Sequence, residues 1–267
     1  MQTVLSSDGT QIAYELSGSG PLLIIITGAL NTRNFGTPAD LVPHLSKNFT
    51  VLTYDRRGRG DSEDTPPYTV RKEIDDLQAL IHANGGEAFL YGHSAGAALA
   101  LFASFRLPEQ VNAVAAYEPP LSSGWLNDFK TKLLIEEINR QIKKGDHRAV
   151  TTRFMRFVGM EEPKIEEILT GEQGPVLIDM AATIAHEALI QTQNRHFFKR
   201  DAKQITQPVL MLAGDKSFCT SPGIMQAFAE AIPNAQFQLL YGQTHSVDAE
   251  ILAPILHKFF HKSNSRV

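Results

Sequence analysis

Gly92-His93-Ser94-Ala95-Gly96 sets one hydroxyl at Ser94 within a glycine-flanked turn. A serine hydroxyl is a weak nucleophile at neutral pH. It needs a general base within hydrogen-bond reach and a third group to orient that base. The surroundings suit such a role. Ala88-Phe89-Leu90-Tyr91 precedes the turn as a short apolar run, and Ala97–Ala103 follows as a small, helix-forming run. Strand, Gly-x-Ser-x-Gly, helix is the context of a nucleophile elbow. The sharp turn forces a strained serine backbone, so its neighbours must carry little side chain. Gly92, Ala95, Gly96 and Ala97 meet that demand. The N-terminus of the helix supplies N–H groups and a positive dipole end for a developing oxyanion. Of nine histidines, His245 is the candidate base. It stands in Tyr241-Gly242-Gln243-Thr244-His245, on a loop between the last strand and the last helix.

The elements that must carry these groups alternate. Gln11–Leu16 alternates weakly before Gly18-Ser19-Gly20-Pro21 and is predicted as a hairpin strand. Leu22–Thr27, Phe49–Tyr54, Ala88–Tyr91, Val111–Tyr117, Val209–Ala213 and Gln236–Tyr241 read as further strands. Their continuous apolar runs suit burial on both faces. Helices are predicted over Pro38–Leu45, Val70–Ala83, Gly223–Ala231 and Ala249–His261. Such alternation implies an α/β fold, a mostly parallel sheet with helices on both faces. The stretch from Leu121 to Lys203 breaks the rhythm. It contains helical segments at Phe129–Lys143, Ala149–Val158, Lys164–Thr170 and Val176–Gln193 and no strand. We read residues 1–120 and 204–267 as two parts of one core, and 121–203 as a helical cap over the carboxyl edge of the sheet. Ligands bind at that edge in open α/β sheets.

Composition narrows the function. The net charge of −4 provides no basic footprint for nucleic acid or an anionic membrane. Cys219 is the single cysteine, so no intrachain disulfide can form, and nothing near it activates a thiol. Met1–Asp8 lacks a basic and an apolar leader region, and no apolar run reaches the ~20 residues of a membrane span, which points to a cytoplasmic protein. Gly18-Ser19-Gly20 is a turn rather than a dinucleotide fingerprint. No spacing suggests a metal site. No cofactor is expected, and the partner is a small-molecule substrate. The sequence carries no signal of oligomeric state.

Four segments together resemble the α/β-hydrolase family over nearly the whole chain. They are Thr27-Gly28-Ala29, Asp55-Arg56-Arg57-Gly58-Arg59-Gly60-Asp61-Ser62, Gly92–Gly96 and Gly242–His245. The resemblance implies Ser94 as nucleophile, His245 as base, and an oxyanion hole built from the backbone N–H groups of Ala29 and Ala95. It implies a cofactor-free serine hydrolase acting on a small, largely apolar ester or related acyl compound. The same site in related folds cleaves C–C bonds, opens lactones or supports perhydrolysis. A slow-turnover small-molecule receptor of the same fold is the rival from another class. Family members often have His-Gly where this chain has Thr27-Gly28.

The orienting acid departs from the common pattern. The family often places it three residues after the glycine ending the penultimate strand, and that position holds Ser217. Three carboxylates can substitute. Glu118 ends the strand after the elbow, between Tyr117 and Pro119, where an unpaired carboxylate would be costly. Asp215 follows Gly214 directly, and Asp248 lies three residues past His245. We favour Glu118, with Asp215 as the alternative. Asp248 also suits a helix N-terminus. His93 is expected to pack against the sheet. Arg56, Arg57 and Arg59 could face a phosphate, but their Asp55 and Asp61 flanks suggest internal ion pairs. Trp125, Phe129, Phe154, Met155 and Phe157 are candidates to line an apolar pocket.

Overall fold

In β3 (Leu22–Ile26), Leu22, Ile24 and Ile26 enter one hydrophobic core while Leu23 and Ile25 enter another. Side chains on a strand alternate between faces, so a strand covered on both sides must be apolar at every position. β4 (Thr50–Tyr54), β5 (Ala88–His93), β6 (Val111–Tyr117) and β7 (Val209–Gly214) are buried almost throughout for the same reason. The computed structural model describes residues 1–120, 125–217 and 221–264; the side chains of 125–131, 194–196, 199 and 264 lie outside that description.

With β1 (Gln2–Leu5), β2 (Gln11–Ser17) and β8 (Ala235–Leu240), these strands form one eight-stranded sheet in the order β1-β2-β4-β3-β5-β6-β7-β8. β1 pairs antiparallel with β2, and β2 with β4; β3 through β8 run parallel. The expected hairpin is therefore corrected. β2 pairs with β1, which the sequence reading omitted, and the 18–21 turn does not close a hairpin onto β3. β4 lies between them, because β3 is taken up by its parallel neighbours β4 and β5.

One face of the sheet is covered by α2 (Val70–Ala83), α3 (Ala95–Arg106) and α9 (Pro222–Glu230). The other is covered by α1 (Thr37–Leu45) and α10 (Ala249–Asn264). Thr69 caps α2 by accepting the Lys72 N–H, one of the donors a helix start leaves unpaired. Among the described residues, no helix is long and apolar enough to cross a membrane.

Between β6 and β7 the chain leaves the sheet and forms α4 (Trp125–Lys143), α5 (His147–Phe157), α6 (Glu162–Thr170), α7 (Gly174–Asp179) and α8 (Ile184–Arg200). The single helix expected over Val176–Gln193 is instead α7, a 3-10 turn at Met180–Thr183, and α8. The tighter turn carries Met180 and Ala181 into the insertion's own core and buries Thr183 beside them. That core also holds Leu134, Ile138, Val150, Met155, Ile165 and Ile184, with Phe154 and Phe157 packed on it. The loop after β3 joins it through Leu30, with Ala29 and Phe35 alongside. Phe197 and Phe198 of α8 reach the main core instead, where Phe102 packs edge-on against Phe197. The insertion thus shares apolar packing with the rest of the chain through both cores.

Candidate active site

The elbow forms where the small residues predicted it. Ser94 sits between β5 and α3 with φ 54° and ψ −124°. A Cβ at Gly92 would stand 2.3 Å from the Gly96 carbonyl oxygen, and one at Gly96 would stand 2.1 Å from that of Ile26. Any larger residue at either position would push the turn off the sheet. Ser94 is half-buried, and Ala95 is the first residue of α3. The Ala95 N–H therefore has no acceptor four residues back within the helix.

The loop after β3 lies directly against the elbow. A Cβ at Gly28 would come within 3.0 Å of the Ser94 Cβ and 3.1 Å of the His93 carbonyl oxygen. Ala29 follows on that loop, and Leu30 takes φ 55°. Three non-glycine residues among those described have φ above zero: Leu30, Ser94 and Glu118. Such backbone is uncommon for side-chain-bearing residues and is held only where the surroundings over-determine it. All three stand at the carboxyl edge of the sheet, on or beside the candidate site.

His245 reaches the same place from the other side. His93 Nε2 lies 2.8 Å from the His245 carbonyl oxygen, so the ring donates there as a neutral imidazole. The two imidazoles lie 4.7 Å apart. Tyr117 stacks on His93, and its hydroxyl donates to the Thr244 carbonyl oxygen at 2.5 Å. Two side chains thus hold the backbone of the histidine loop against His93, the residue before Ser94. Burial, then the nearby His245, lowers the His93 pKa to about 4, so it stays uncharged at neutral pH. His93 packs as the sequence predicted, but its grip on the 245 carbonyl was not foreseen. Nor was the role of Tyr117, which the sequence shows only as the last residue of a buried strand.

The three candidate acids separate clearly. Glu118 Oε2 lies 2.6 Å from His245 Nδ1. The Glu118 side chain is fully buried, and that of His245 is 23% exposed. The Glu118 carboxylate also accepts the Gly214 N–H at Oε1 (2.9 Å) and the Ser217 hydroxyl at Oε2 (2.7 Å). Burial raises its pKa, but the bonds from His245, Ser217 and Gly214 outweigh that and leave it below the ordinary value of 4.5. Asp215 turns away and accepts the Gly242 N–H at 2.6 Å. Asp248 accepts the Glu250 N–H at 2.8 Å, at the start of α10. Neither makes the contact expected of an acid partner. Ser217 carries no charge of its own, yet it donates to the carboxylate that does touch His245.

The arginines of the 55–62 segment are buried and ion-paired, though not with their flanking aspartates. Asp55 and Asp61 both pair with Arg33 instead, with Arg33 Nη2 2.6 Å from Asp61. Arg57 binds Asp76 through two nitrogens, at 2.6 and 2.8 Å. Arg56 binds Glu73 through two nitrogens, at 2.5 and 3.1 Å, and reaches Glu187 of α8 at 3.0 Å. Arg59 also pairs with Glu187. The flank correction has a simple cause. Gly60 has no Cβ, which leaves room for the Asp55 carboxylate under the turn, where it accepts the N–H groups of Asp61 and Arg33 and pairs with the Arg33 guanidinium. Among the described residues, no group of three or more His, Cys, Asp or Glu converges as metal ligands do. Cys219 lies outside the described residues, as do the side chains of Trp125 and Phe129.

Residues 23–252 match the sequence profile of the Alpha/beta hydrolase family. The chain belongs to that family. An alpha/beta hydrolase from Sphaerobacter thermophilus is similar in structure, with TM-score 0.85 and 37% identity over 97% of this chain and 100% of that one. A thermophilic esterase from Thermogutta terrifontis shares the fold at TM-score 0.80, with 19% identity and 98% of each chain covered. The hydrolase YraK of Bacillus subtilis is 34% identical over 169 residues, 59% of this chain and 58% of its own.

Proposed function

We propose that this alpha/beta hydrolase is a serine esterase-like enzyme. Its substrate is a small, largely apolar ester or related acyl compound, and its intermediate is an acyl-enzyme. The observation that carries this reading is the 2.6 Å contact between His245 Nδ1 and Glu118 Oε2, on a loop held by His93, the residue before Ser94. A carboxylate at Nδ1 selects the tautomer whose Nε2 can take a proton, and it stabilises the imidazolium once formed.

The steps follow from the groups present. Ser94 Oγ attacks the substrate carbonyl carbon, and its proton passes to His245 Nε2. The carbonyl π electrons move onto oxygen, which the N–H groups of Ala29 and Ala95 receive. Collapse of the tetrahedral adduct breaks the ester C–O bond, and His245 protonates the leaving alkoxide. Water then repeats the sequence on the acyl-enzyme and restores Ser94. The helices between β6 and β7 serve as a cap. Their apolar core, continuous with Leu30 and bordered by Ala29, favours an apolar acyl group. The similar Thermogutta protein is an esterase, which agrees with this class.

Ser94→Ala tests the assignment. Hydrolysis of short p-nitrophenyl esters should fall at least ~10⁴-fold, and labelling by a serine-directed fluorophosphonate should vanish. Labelling that persists on another residue overturns the proposal. Release of one equivalent of nitrophenol followed by retained ligand would favour the receptor reading instead.

A further inference from the structure

The carbonyl of Gly28 and the N–H of Ala29 belong to one peptide unit. In a trans peptide these two groups point in opposite directions. Whatever holds the carbonyl therefore aims the N–H. Arg59 Nη1 donates to the Gly28 carbonyl oxygen at 2.6 Å and to that of Asn31 at 3.3 Å. Arg56 Nη1 donates to the Thr27 carbonyl oxygen at 3.3 Å. Three carbonyls of this loop are thus gripped from below by two buried guanidinium groups. On its other side Gly28 abuts Ser94.

Charge adds to direction. A guanidinium on an amide oxygen makes a charge-assisted hydrogen bond. It draws electron density toward that oxygen and leaves the amide hydrogen a stronger donor, as in any polarised hydrogen-bond chain. Arg59 itself is anchored by the helical insertion. Its Nη2 pairs with Glu187, and its Nε donates to Thr183 Oγ1 at 3.2 Å. Thr183 closes the 3-10 turn, and Glu187 lies in the first turn of α8. Leu30, held at φ 55°, packs into the insertion's core from the same loop.

We propose that Arg59, anchored by Glu187 and Thr183 of the insertion, is a positioning residue that aims and polarises the Ala29 N–H toward the oxyanion. The seating of the insertion on the sheet thereby sets the strength of the oxyanion hole. This inference rests on the serine hydrolase reading above. A purely structural Arg59 would staple the insertion and do no more. Its loss would then lower stability and substrate affinity without a selective cost to the transition state.

The test compares wild type with Arg59→Met, Arg59→Lys and Glu187→Gln. Each is assayed for p-nitrophenyl ester turnover and for binding of an alkyl trifluoromethyl ketone, whose serine adduct carries an oxyanion. The matching methyl ketone serves as the ground-state control. Losing an oxyanion donor costs ~10²–10³ in kcat, so misaiming one should cost about 10–100-fold. In Arg59→Met, kcat should fall by that factor with KM changed less than about threefold. Trifluoromethyl ketone affinity should fall in parallel, and methyl ketone affinity should hold. Arg59→Lys should recover part of the loss, since an ammonium can still donate to one carbonyl. Should Arg59→Met fail to fold, the other two variants decide, each with at least a threefold parallel loss expected. Folded variants whose kcat and trifluoromethyl ketone affinity match wild type overturn the inference. So does an equal loss for both ketones. Fluorophosphonate labelling of wild type at Ser94 is run first. Failure there removes the serine hydrolase reading, whereas success followed by insensitive Arg59 variants removes this inference alone.

Discussion

Beyond the end of β6, the Glu118 carboxylate meets one imidazole, one hydroxyl and one backbone N–H. Under the loop after β3, the carboxylates of Glu73 and Glu187 meet the guanidinium groups of Arg56 and Arg59. Both clusters are buried, and both settle the cost of a buried carboxylate by hydrogen bonding. They differ in whether the counter-charge can change. Arginine stays protonated at any working pH, so the lower cluster is electrically fixed: it can hold and polarise the loop above it but exchanges no proton. An imidazole can take up a proton, so the proposed mechanism uses the upper pair to stabilise a charge that exists only during reaction.

The largest expected effect breaks the upper cluster. Glu118→Gln keeps the shape but removes the charge that the proposed mechanism sets against the imidazolium, and kcat for a nitrophenyl ester should drop about 10³–10⁴-fold. A thermal melt close to that of wild type would show that the loss is chemical. A variant with full activity would remove Glu118 from the mechanism.

Glu73→Gln makes the converse change in the lower cluster. Removing one partner of a buried ion pair leaves the other charge uncompensated and costs about 3–5 kcal/mol. Chemical denaturation should show that loss, while kcat per folded molecule stays within about threefold. A variant as stable as wild type with greatly reduced kcat would reverse the division of labour drawn here.

Acid should also act through two buried histidines. Burial first lowers the pKa of both His93 and His186 to about 4 from an ordinary 6.5. His186 stacks on Tyr68 at 3.7 Å, in the field of Glu73, Arg56, Arg59 and Arg57. Between pH 6.5 and 4 the unfolded chain binds more protons than the folded one, so stability falls as pH falls. The contribution of each is full above pH 6.5 and is lost by about pH 4, about 3 kcal/mol per histidine. Denaturation midpoints of His186→Phe should show a shallower pH slope over this window. An unchanged slope would mean that His186 does not titrate as its burial requires.

The smallest effect concerns the acid that turns away. Asp215→Asn removes a charge from an exposed loop contact with the Gly242 N–H, and should alter stability by less than about 1 kcal/mol and kcat by less than about threefold. A loss comparable to that of Glu118→Gln would mean that the two acids act together.

Much of this site is visible in the sequence because its causes are local. The elbow needs a serine among residues without bulk, and Gly92 and Gly96 stand within two positions of it. The buried strands are apolar at every position, which the sheet requires. The helical character of the insertion is likewise local, although the break at Met180–Thr183 is not. That break lets α8 face two cores at once. β1 was missed because four residues carry too little pattern to mark an edge strand. Arg33, Tyr117 and Thr183 gave no signal either, since their partners lie far along the chain.

The carboxylate is where the sequence stops. Strand ends marked Glu118 and Asp215, and nearness to His245 marked Asp248; the apolar setting of Glu118 favoured it without giving its partner. Tertiary structure separates them through direction. A backbone with φ 47° turns Glu118 so that its carboxylate meets the Gly214 N–H, the Ser217 hydroxyl and His245 together. The turn that carries Ser94 was determined by neighbours in sequence. The partner of His245 was decided by which side chain three distant segments could bring within 3 Å, because a hydrogen bond depends on position and angle that residue identity alone does not contain.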